Sequence, residues 1–130
     1  MRVLLVDDDA SSTEALCDLL KLAGHRVDSA DNGRTALEKL RQKNREERYC
    51  VIVLDLMMPV MNGYEFREEQ LKDPSIASIP IIVITADGRA REKAAQLGSD
   101  RYFQKPLVPR ELLRVIREYC PTPAPAVQPA

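Results

Sequence analysis

Length and charge limit the classes of protein to which this chain can belong. Its 130 residues, 45% of them hydrophobic, are enough for one domain that buries a core without disulfides or a structural metal. The 19 basic and 20 acidic residues are mixed along the chain and give a formal net charge of −1, so we expect this segment to bind no nucleic acid and no anionic membrane. No stretch approaches the roughly 20 apolar residues of a membrane span.

The first residues and the cysteines indicate an intracellular protein. The apolar run Val3–Val6 is followed at once by three aspartates, and it is shorter than the apolar core of a signal peptide, which has about 7–15 residues. Cys17, Cys50 and Cys120 lie far apart and form neither a CxxC motif nor a cluster with the spacing of metal ligands. We therefore expect a cytoplasmic protein with three reduced thiols.

Short apolar runs alternate with longer stretches of helical spacing, which is the pattern of βα units around a parallel sheet. The clearest strands are predicted at Val3–Val6, Val51–Leu54 and Ile81–Ile84. Each is apolar throughout, as expected of central strands that are covered on both faces. Two weaker strands are predicted near Arg26–Ser29 and Arg101–Phe103.

Apolar residues three or four positions apart predict the intervening helices. The residues predicted to face inward are Leu16, Leu19, Leu20 and Ala23, then Ala36, Leu37 and Leu40, then Tyr64, Phe66 and Leu71, and in the last helix Leu112, Leu113 and Ile116. A fourth helix is predicted around Arg89–Leu97 and a fifth around Arg110–Tyr119, with Gly24 and Gly98 at helix ends and Pro109 in a first turn. The predicted architecture is an α/β protein of five βα repeats.

The end of the chain differs from the rest in composition. Residues 121–130 carry no charge and include four prolines, so they can form neither a helix nor a central strand. We predict one domain over residues 1–120, followed by a Pro/Ala-rich tail or the start of a linker over residues 121–130.

Polar side chains follow four of the predicted strands. Asp7–Asp9 come after the first strand, Asp55 ends the third, Thr85 ends the fourth, and Lys105 comes shortly after the fifth. In an open parallel α/β sheet, ligands bind at the carboxyl ends of the strands. These side chains are therefore predicted to converge on one edge of the sheet.

Carboxylates gathered at one place repel each other and raise each other's pKa unless a cation lies among them. Mg²⁺ prefers hard oxygen ligands and binds through one or two carboxylates, waters and phosphate oxygens. Asp8 and Asp55 are predicted to bind the ion directly and Asp7 through water. Asp9 is predicted to be a helix cap or a residue at the rim of the site rather than a metal ligand, because aspartate is favoured at helix starts.

Asp55 stands alone at its strand end and is the candidate nucleophile for a phosphoryl group, since aspartate can form an aspartyl phosphate. Transfer of a phosphoryl group needs positive and hydrogen-bonding groups placed around its equatorial oxygens. Lys105 would supply the ammonium group, and the Thr85 hydroxyl would donate to a phosphoryl oxygen.

With these residues in place, residues 2–119 resemble the receiver domains of bacterial two-component response regulators, such as CheY-like proteins. The matching segments are Val6-Asp7-Asp8-Asp9, Val53-Leu54-Asp55-Leu56-Met57-Met58-Pro59 followed by Asn62-Gly63, Ile84-Thr85-Ala86, and Lys105-Pro106 after Tyr102. Each segment alone is weak evidence, but all four in this order on successive strands are specific.

The resemblance implies a flavodoxin-like, doubly wound five-stranded parallel sheet with strand order 2-1-3-4-5. Asp55 would accept a phosphoryl group from the phosphohistidine of a sensor histidine kinase or a phosphotransfer protein. Asp8, Asp55 and the main-chain carbonyl of Met57 would hold Mg²⁺ or Mn²⁺, with Asp7 acting through water. Lys105 would pair with the phosphoryl group, and its peptide bond to Pro106 would be cis.

The resemblance also implies a switch in which the Thr85 hydroxyl moves toward the phosphate and the ring of Tyr102 turns inward. This movement would reshape the face of the fourth helix, fifth strand and fifth helix, where a downstream effector protein or domain binds. Phosphorylation-dependent homodimerisation through this face is left open. Such a domain is not an enzyme beyond its own phosphorylation and dephosphorylation.

One departure from the family pattern concerns this same face. The 20 positions from Thr85 to Lys105 are fewer than the family pattern leads us to expect, so the fourth helix or the loop before it should be short.

Other functions on this fold fit the sequence less well. A phosphatase with an aspartate nucleophile needs a second aspartate two residues later, where this chain has Met57. A flavin or nucleotide carrier needs a phosphate-binding loop after the first strand, where Asp7–Asp9 would repel a phosphate. A pseudo-receiver that acts only as a protein-interaction module is the remaining alternative.

Overall fold

The computed structural model describes residues 2–42 and 48–121, and within them strands and helices alternate along the chain. The strands are β1 (Arg2–Val6), β2 (Arg26–Ala30), β3 (Tyr49–Asp55), β4 (Ile81–Thr85) and β5 (Tyr102–Gln104). The helices are α1 (Ala10–Leu22), α2 (Gly33–Gln42), α3 (Gly63–Lys72), α4 (Ala90–Gln96) and α5 (Pro109–Tyr119). The predicted tail lies outside the described residues from position 122 onward. None of the helices in these ranges has the length and apolar character that crossing a membrane requires.

The five strands form one parallel sheet in the order β2-β1-β3-β4-β5. This order confirms the predicted doubly wound, flavodoxin-like fold. Every residue of β3 and β4 is buried, which explains why these segments are apolar throughout instead of alternating.

Helices cover both faces of the sheet. On one face, Leu16 and Leu20 of α1 pack in the same core cluster as Leu112 and Ile116 of α5. The cluster on the other face contains buried residues of α2, α3 and α4: Ala36, Leu37, Leu40, Phe66 and Ala94. The helices leave uncovered the edge of the sheet where the strands end, and only the loops that follow the strands lie there.

Two predicted inward-facing leucines are on the surface instead. Leu19 of α1 is 37% exposed and Leu71 of α3 is 53% exposed, so their placement in the core was wrong. Ala23 caps the end of α1 rather than lying within it, while Tyr64 and Leu113 are partly buried. In α3 the reason is that the buried stripe runs through Gly63, Phe66, Arg67 and Gln70, two of which are polar.

Arg67 and Gln70 form a buried polar network that joins α3 to its neighbours. Arg67 Nε donates to the carbonyl oxygen of Leu97 at 2.9 Å, and Arg67 Nη1 donates to Gln70 Oε1 at 2.7 Å. Gln70 Nε2 in turn donates to the carbonyl oxygens of Ile76 and Ile79 at 2.9 and 3.0 Å. Leu97 is the C-cap of α4, which has only seven residues. The guanidinium of Arg67 therefore provides a hydrogen bond to one of the carbonyl oxygens that a helix end leaves without a partner in the helix.

Cys50 and Cys120 form a disulfide with their Cα atoms 5.6 Å apart, and Cys17 is free. The expectation of three reduced thiols was therefore wrong for this pair. The two cysteines are 70 positions apart in sequence, and only the parallel sheet brings the start of β3 next to the end of α5.

Replacing Arg67 by methionine tests the buried network. We expect the free energy of unfolding to fall by about 1–3 kcal/mol, because Gln70 Oε1 and the Leu97 carbonyl lose their donor inside the core. Urea unfolding followed by circular dichroism measures the change. The control is Arg34→Met on the exposed surface of α2, which we expect to stay within about 0.5 kcal/mol. Equal small effects in both variants would contradict a stabilising role for the network.

Candidate functional site

Three carboxylates meet where β1 and β3 end side by side. Asp7 follows β1 and is 5% exposed, and Asp55 is the last residue of β3 and is 3% exposed. One carboxylate oxygen from each of Asp7, Asp8 and Asp55 lies within 4.8 Å of the other two. The structure thus brings together the three aspartates that the sequence placed at this edge.

Lys105 brings a positive charge to this cluster from the end of β5. Its Nζ lies 3.0 Å from Asp7 Oδ2 and 3.3 Å from Asp55 Oδ2. The backbone amide of Lys105 donates to the carbonyl oxygen of Thr85 at 2.8 Å, which extends the pairing of β4 and β5 and fixes where the lysine leaves the sheet. The peptide bond from Lys105 to Pro106 is cis, as the family resemblance implies.

The charges of the cluster are not balanced. Burial and the nearby charge of Asp7 together raise the pKa of Asp55 to about 6, because the charge of Lys105 opposes them only in part. For Lys105, burial lowers the pKa, but the hydrogen bond to Asp7 and the charge of Asp55 outweigh this effect, so its pKa is raised. The single ammonium therefore leaves the three carboxylates short of positive charge.

This set of donors fits a small divalent cation. Asp7, Asp8 and Asp55 supply hard carboxylate oxygens at close spacing, and two of these side chains are buried where unpaired charge is costly. Asp9 takes another part, as predicted: its Oδ1 accepts a hydrogen bond from the amide of Ser12 at 3.3 Å and caps α1.

The loop between β3 and α3, which follows Asp55 in the chain, holds the Asp55 carboxylate in place. The amide of Met57 donates to Asp55 Oδ1 at 3.3 Å, while the side chain of Met57 is 63% exposed. Asn62 and Glu65 form a capping box at the start of α3, which sets where the loop ends. The amide of Gly63 then donates to the carbonyl oxygen of Leu56 at 3.1 Å, so the first turn of α3 lies directly against the backbone beside Asp55.

Thr85 and Tyr102 lie on the same face of the sheet, although they are not direct partners. Val83 pairs with Tyr102, and Thr85 is two residues after Val83, so their side chains point the same way. Thr85 is fully buried, and its Oγ1 accepts a hydrogen bond from the amide of Asp87 at 3.2 Å. Tyr102 is 36% exposed, so its ring is partly outside the core.

A short chain of contacts continues from Thr85 into α4. Asp87, whose amide binds Thr85, forms an ion pair with Lys93 of α4 at 2.7 Å. Arg89, the N-cap of α4, has a φ of 67° and turns the chain into the helix. The sequence singled out the region between Thr85 and Lys105 but not this Asp87–Lys93 pair. The available signal is a lysine in the helix, six positions after an aspartate in the loop before it.

Gly63 is predicted to be required for the position of Asp55. A Cβ atom at Gly63 would lie 2.6 Å from the carbonyl oxygen of Asp55 and 2.8 Å from Leu56 Cα, both of which are backbone atoms. We expect Gly63→Ala to lower the free energy of unfolding by at least about 2 kcal/mol. The matched control is Gly88→Ala, because a Cβ there meets nothing within 4 Å. Thermal unfolding that ranks the two variants in the opposite order would contradict the close packing.

The raised pKa of Asp55 gives stability a defined pH dependence in metal-free protein. The folded state holds the Asp55 proton more tightly than the unfolded chain, whose pKa is near 3.8, so stability is lost as the pH rises from about 4 to about 6. Asp55→Asn removes this loss and should be more stable than the wild type at pH 7.5, by an amount on the order of 2 kcal/mol.

The measurement is urea unfolding in a chelator at pH 4 and pH 7.5, with Asp18→Asn on the exposed side of α1 as the control. The advantage of Asp55→Asn should shrink at pH 4, and the control should follow the wild type. An identical pH profile for all three proteins would contradict the charge imbalance at Asp55.

Comparison with known proteins assigns the chain to a family. The response regulator receiver domain model matches residues 3–117. The transcriptional regulatory protein CpxR homolog of Haemophilus influenzae is 39% identical over 118 residues, covering 89% of this chain and 48% of that protein. Protein PilH of Pseudomonas aeruginosa is 31% identical over 117 residues, covering 88% of this chain and 93% of that protein.

A solved structure agrees in detail with the fold. The receiver domain of a sensor histidine kinase from Pseudomonas aeruginosa, which has a magnesium ion coordinated in its active site cleft, superposes with a TM-score of 0.79 at 28% identity and covers 91% of this chain and 95% of that one. The chain spans about half the length of the transcriptional regulators that it matches. With the parallel sheet of order β2-β1-β3-β4-β5 and the acidic edge, these matches show that the chain belongs to the response regulator receiver domain family.

Proposed function

We propose that this receiver domain accepts a phosphoryl group on Asp55 from the phosphohistidine of a sensor histidine kinase or a phosphotransfer protein. The observation that carries the proposal is the pairing of a buried carboxylate with an ammonium: Asp55 Oδ2 lies 3.3 Å from Lys105 Nζ. A carboxylate held in this way is a nucleophile with a cation already in place for the incoming oxygens.

The reaction exchanges one phosphorus bond for another. A carboxylate oxygen of Asp55 attacks phosphorus, the bond from phosphorus to the histidine nitrogen breaks, and the imidazole leaves with the electron pair. Lys105, which bridges Asp7 and Asp55 before the reaction, then pairs with a phosphoryl oxygen. Water later attacks the aspartyl phosphate and returns Asp55 and inorganic phosphate. The domain catalyses no reaction other than its own phosphorylation and dephosphorylation.

We further propose that the reaction depends on Mg²⁺, for which Mn²⁺ can substitute. Asp8, Asp55 and the main-chain carbonyl of Met57 would hold the ion, with Asp7 acting through water. The ion supplies positive charge to phosphoryl oxygens when it is bound. The fit of this set is supported by the 4.8 Å grouping of the three carboxylates and by the magnesium in the related kinase receiver domain.

The phosphoryl group is proposed to act on α4 through Thr85. When the Thr85 hydroxyl turns toward the phosphate, it leaves the amide of Asp87, and the Asp87–Lys93 ion pair passes the change to α4. The ring of Tyr102, on the same face of the sheet, then moves inward. The face of α4, β5 and α5 would bind a downstream effector protein or domain, and homodimerisation is one use of the same face. We place this function in the cytoplasm, with no nucleic acid bound by this segment.

The direct test is covalent labelling. Incubation of the wild type with Mg²⁺ and acetyl phosphate or a phosphohistidine donor should add about 80 Da, the mass of one phosphoryl group on aspartate. Asp55→Asn should gain nothing, and chelation of the metal should abolish the gain. Asp9→Asn is the matched control, because asparagine keeps the cap of α1 and the acidic cluster stays intact.

Two outcomes would count against the proposal. If the wild type gains no mass with either donor, the pseudo-receiver that acts only through protein contacts is favoured instead. If Asp55→Asn still gains the phosphoryl group, another residue is the acceptor.

A further inference from the structure

The disulfide between Cys50 and Cys120 lies at the end of the sheet opposite the acidic cluster. Cys50 is the second residue of β3, whereas Asp55 is its last. Cys120 is the C-cap of α5, and both cysteines are buried, with exposed fractions of 7% and 6%. Their Cα separation of 5.6 Å lies in the middle of the range that a disulfide requires.

A bulge in β3 turns Cys50 toward α5. The register of β1 and β3 shifts so that Arg2 pairs with Tyr49 but the next residue, Val3, pairs with Val51, which leaves Cys50 as the extra residue. Regular alternation would put Cys50 on the opposite face from Val51. Instead, both belong to the core cluster shared with α5. Bulges commonly redirect a side chain in this way, and here the redirected side chain is one half of the cysteine pair.

The site also accommodates the reduced form. Cys50 Sγ lies 3.3 Å from the carbonyl oxygen of Arg2, an acceptor to which a free thiol can donate. Cys120 is the C-cap of α5 and belongs to no strand, so local opening of the last helical turn would expose its sulfur without unpairing the sheet. The bulge brings the two sulfurs together, and the carbonyl oxygen of Arg2 offers Cys50 a partner when the pair is reduced. We propose that Cys50 and Cys120 are a reversible thiol–disulfide pair that joins the end of α5 to β3 when oxidised.

The oxidant is a small-molecule disulfide of the glutathione class. The Cys120 thiolate attacks one sulfur of that disulfide and releases one thiolate. The Cys50 thiolate then attacks Cys120 Sγ in the mixed disulfide and releases the second. Two protein thiols are oxidised, one small disulfide is reduced to two thiols, and the protons of the cysteines pass to the products. A dithiol reverses the exchange.

Oxidation would restrain the helix that leads out of the domain. Because Cys120 is the C-cap of α5 and Cys50 lies in β3, the disulfide would limit how far the last turn of α5 can open. A further consequence rests on the proposed function, in which the face of α4, β5 and α5 binds the effector. Because the disulfide restrains α5, this face would change less on phosphorylation in the oxidised form. The cysteine pair itself is separate from the phosphoryl acceptor.

Counting free thiols tests the pair directly. The 130-residue chain is treated with oxidised glutathione or with dithiothreitol, denatured, alkylated and weighed. Of its three cysteines, all should be alkylated after reduction and only Cys17 after oxidation. In Cys17→Ser, the count should fall from two to zero, whereas Cys120→Ser should form no internal disulfide. Oxidation should also raise the thermal unfolding midpoint of the wild type by roughly 10 °C.

Three results would overturn the proposal. They are full alkylation after oxidant treatment, a disulfide that includes Cys17, and an oxidised form whose unfolding midpoint equals that of the reduced form. Because the thiol count does not involve Asp55, it keeps its meaning even if the chain accepts no phosphoryl group.

Discussion

The ion pairs of Lys105 with Asp7 and Asp55 are the contacts on which the functional edge depends. Two buried carboxylates at the ends of neighbouring strands repel each other, and the ammonium that lies 3.0 and 3.3 Å from them arrives from a strand two places further along the sheet. The contact therefore joins β1, β3 and β5 at one point. Lys105 neutralises the site only in part, because burial and Asp7 still raise the pKa of Asp55 to about 6.

Much of this edge follows from the sequence because a parallel sheet puts the carboxyl ends of its strands together. Apolar runs predicted β1, β3 and β4, and the polar residue after each run was then bound to lie at one edge. Periodicity alone does not give the order of the strands, which came from the family resemblance. The cap at Asp9 was also predicted, and so was a shortened segment between Thr85 and Lys105, although the sequence left open whether α4 or the loop before it would be short.

Features that depend on packing between distant elements were missed. In α3, Leu71 matched a helical stripe, but Arg67 and Gln70 are buried instead. These polar side chains are tolerated in the core because Leu97, at the end of α4, and the loop before β4 supply hydrogen-bond acceptors. The cysteine pair was missed for a related reason: a bulge, which no spacing rule shows, puts Cys50 on the face of α5.

If the three carboxylates and Lys105 act as one charge-coupled unit, a divalent cation must displace the proton of Asp55. Calorimetric titration of the protein with Mg²⁺ at pH 6 and pH 8, in two buffers of different ionisation enthalpy, measures this directly. We expect tighter binding at pH 8 and release of about half a proton per ion at pH 6, because Asp55 is half protonated there. Equal affinity at both pH values with no proton released would contradict the coupling.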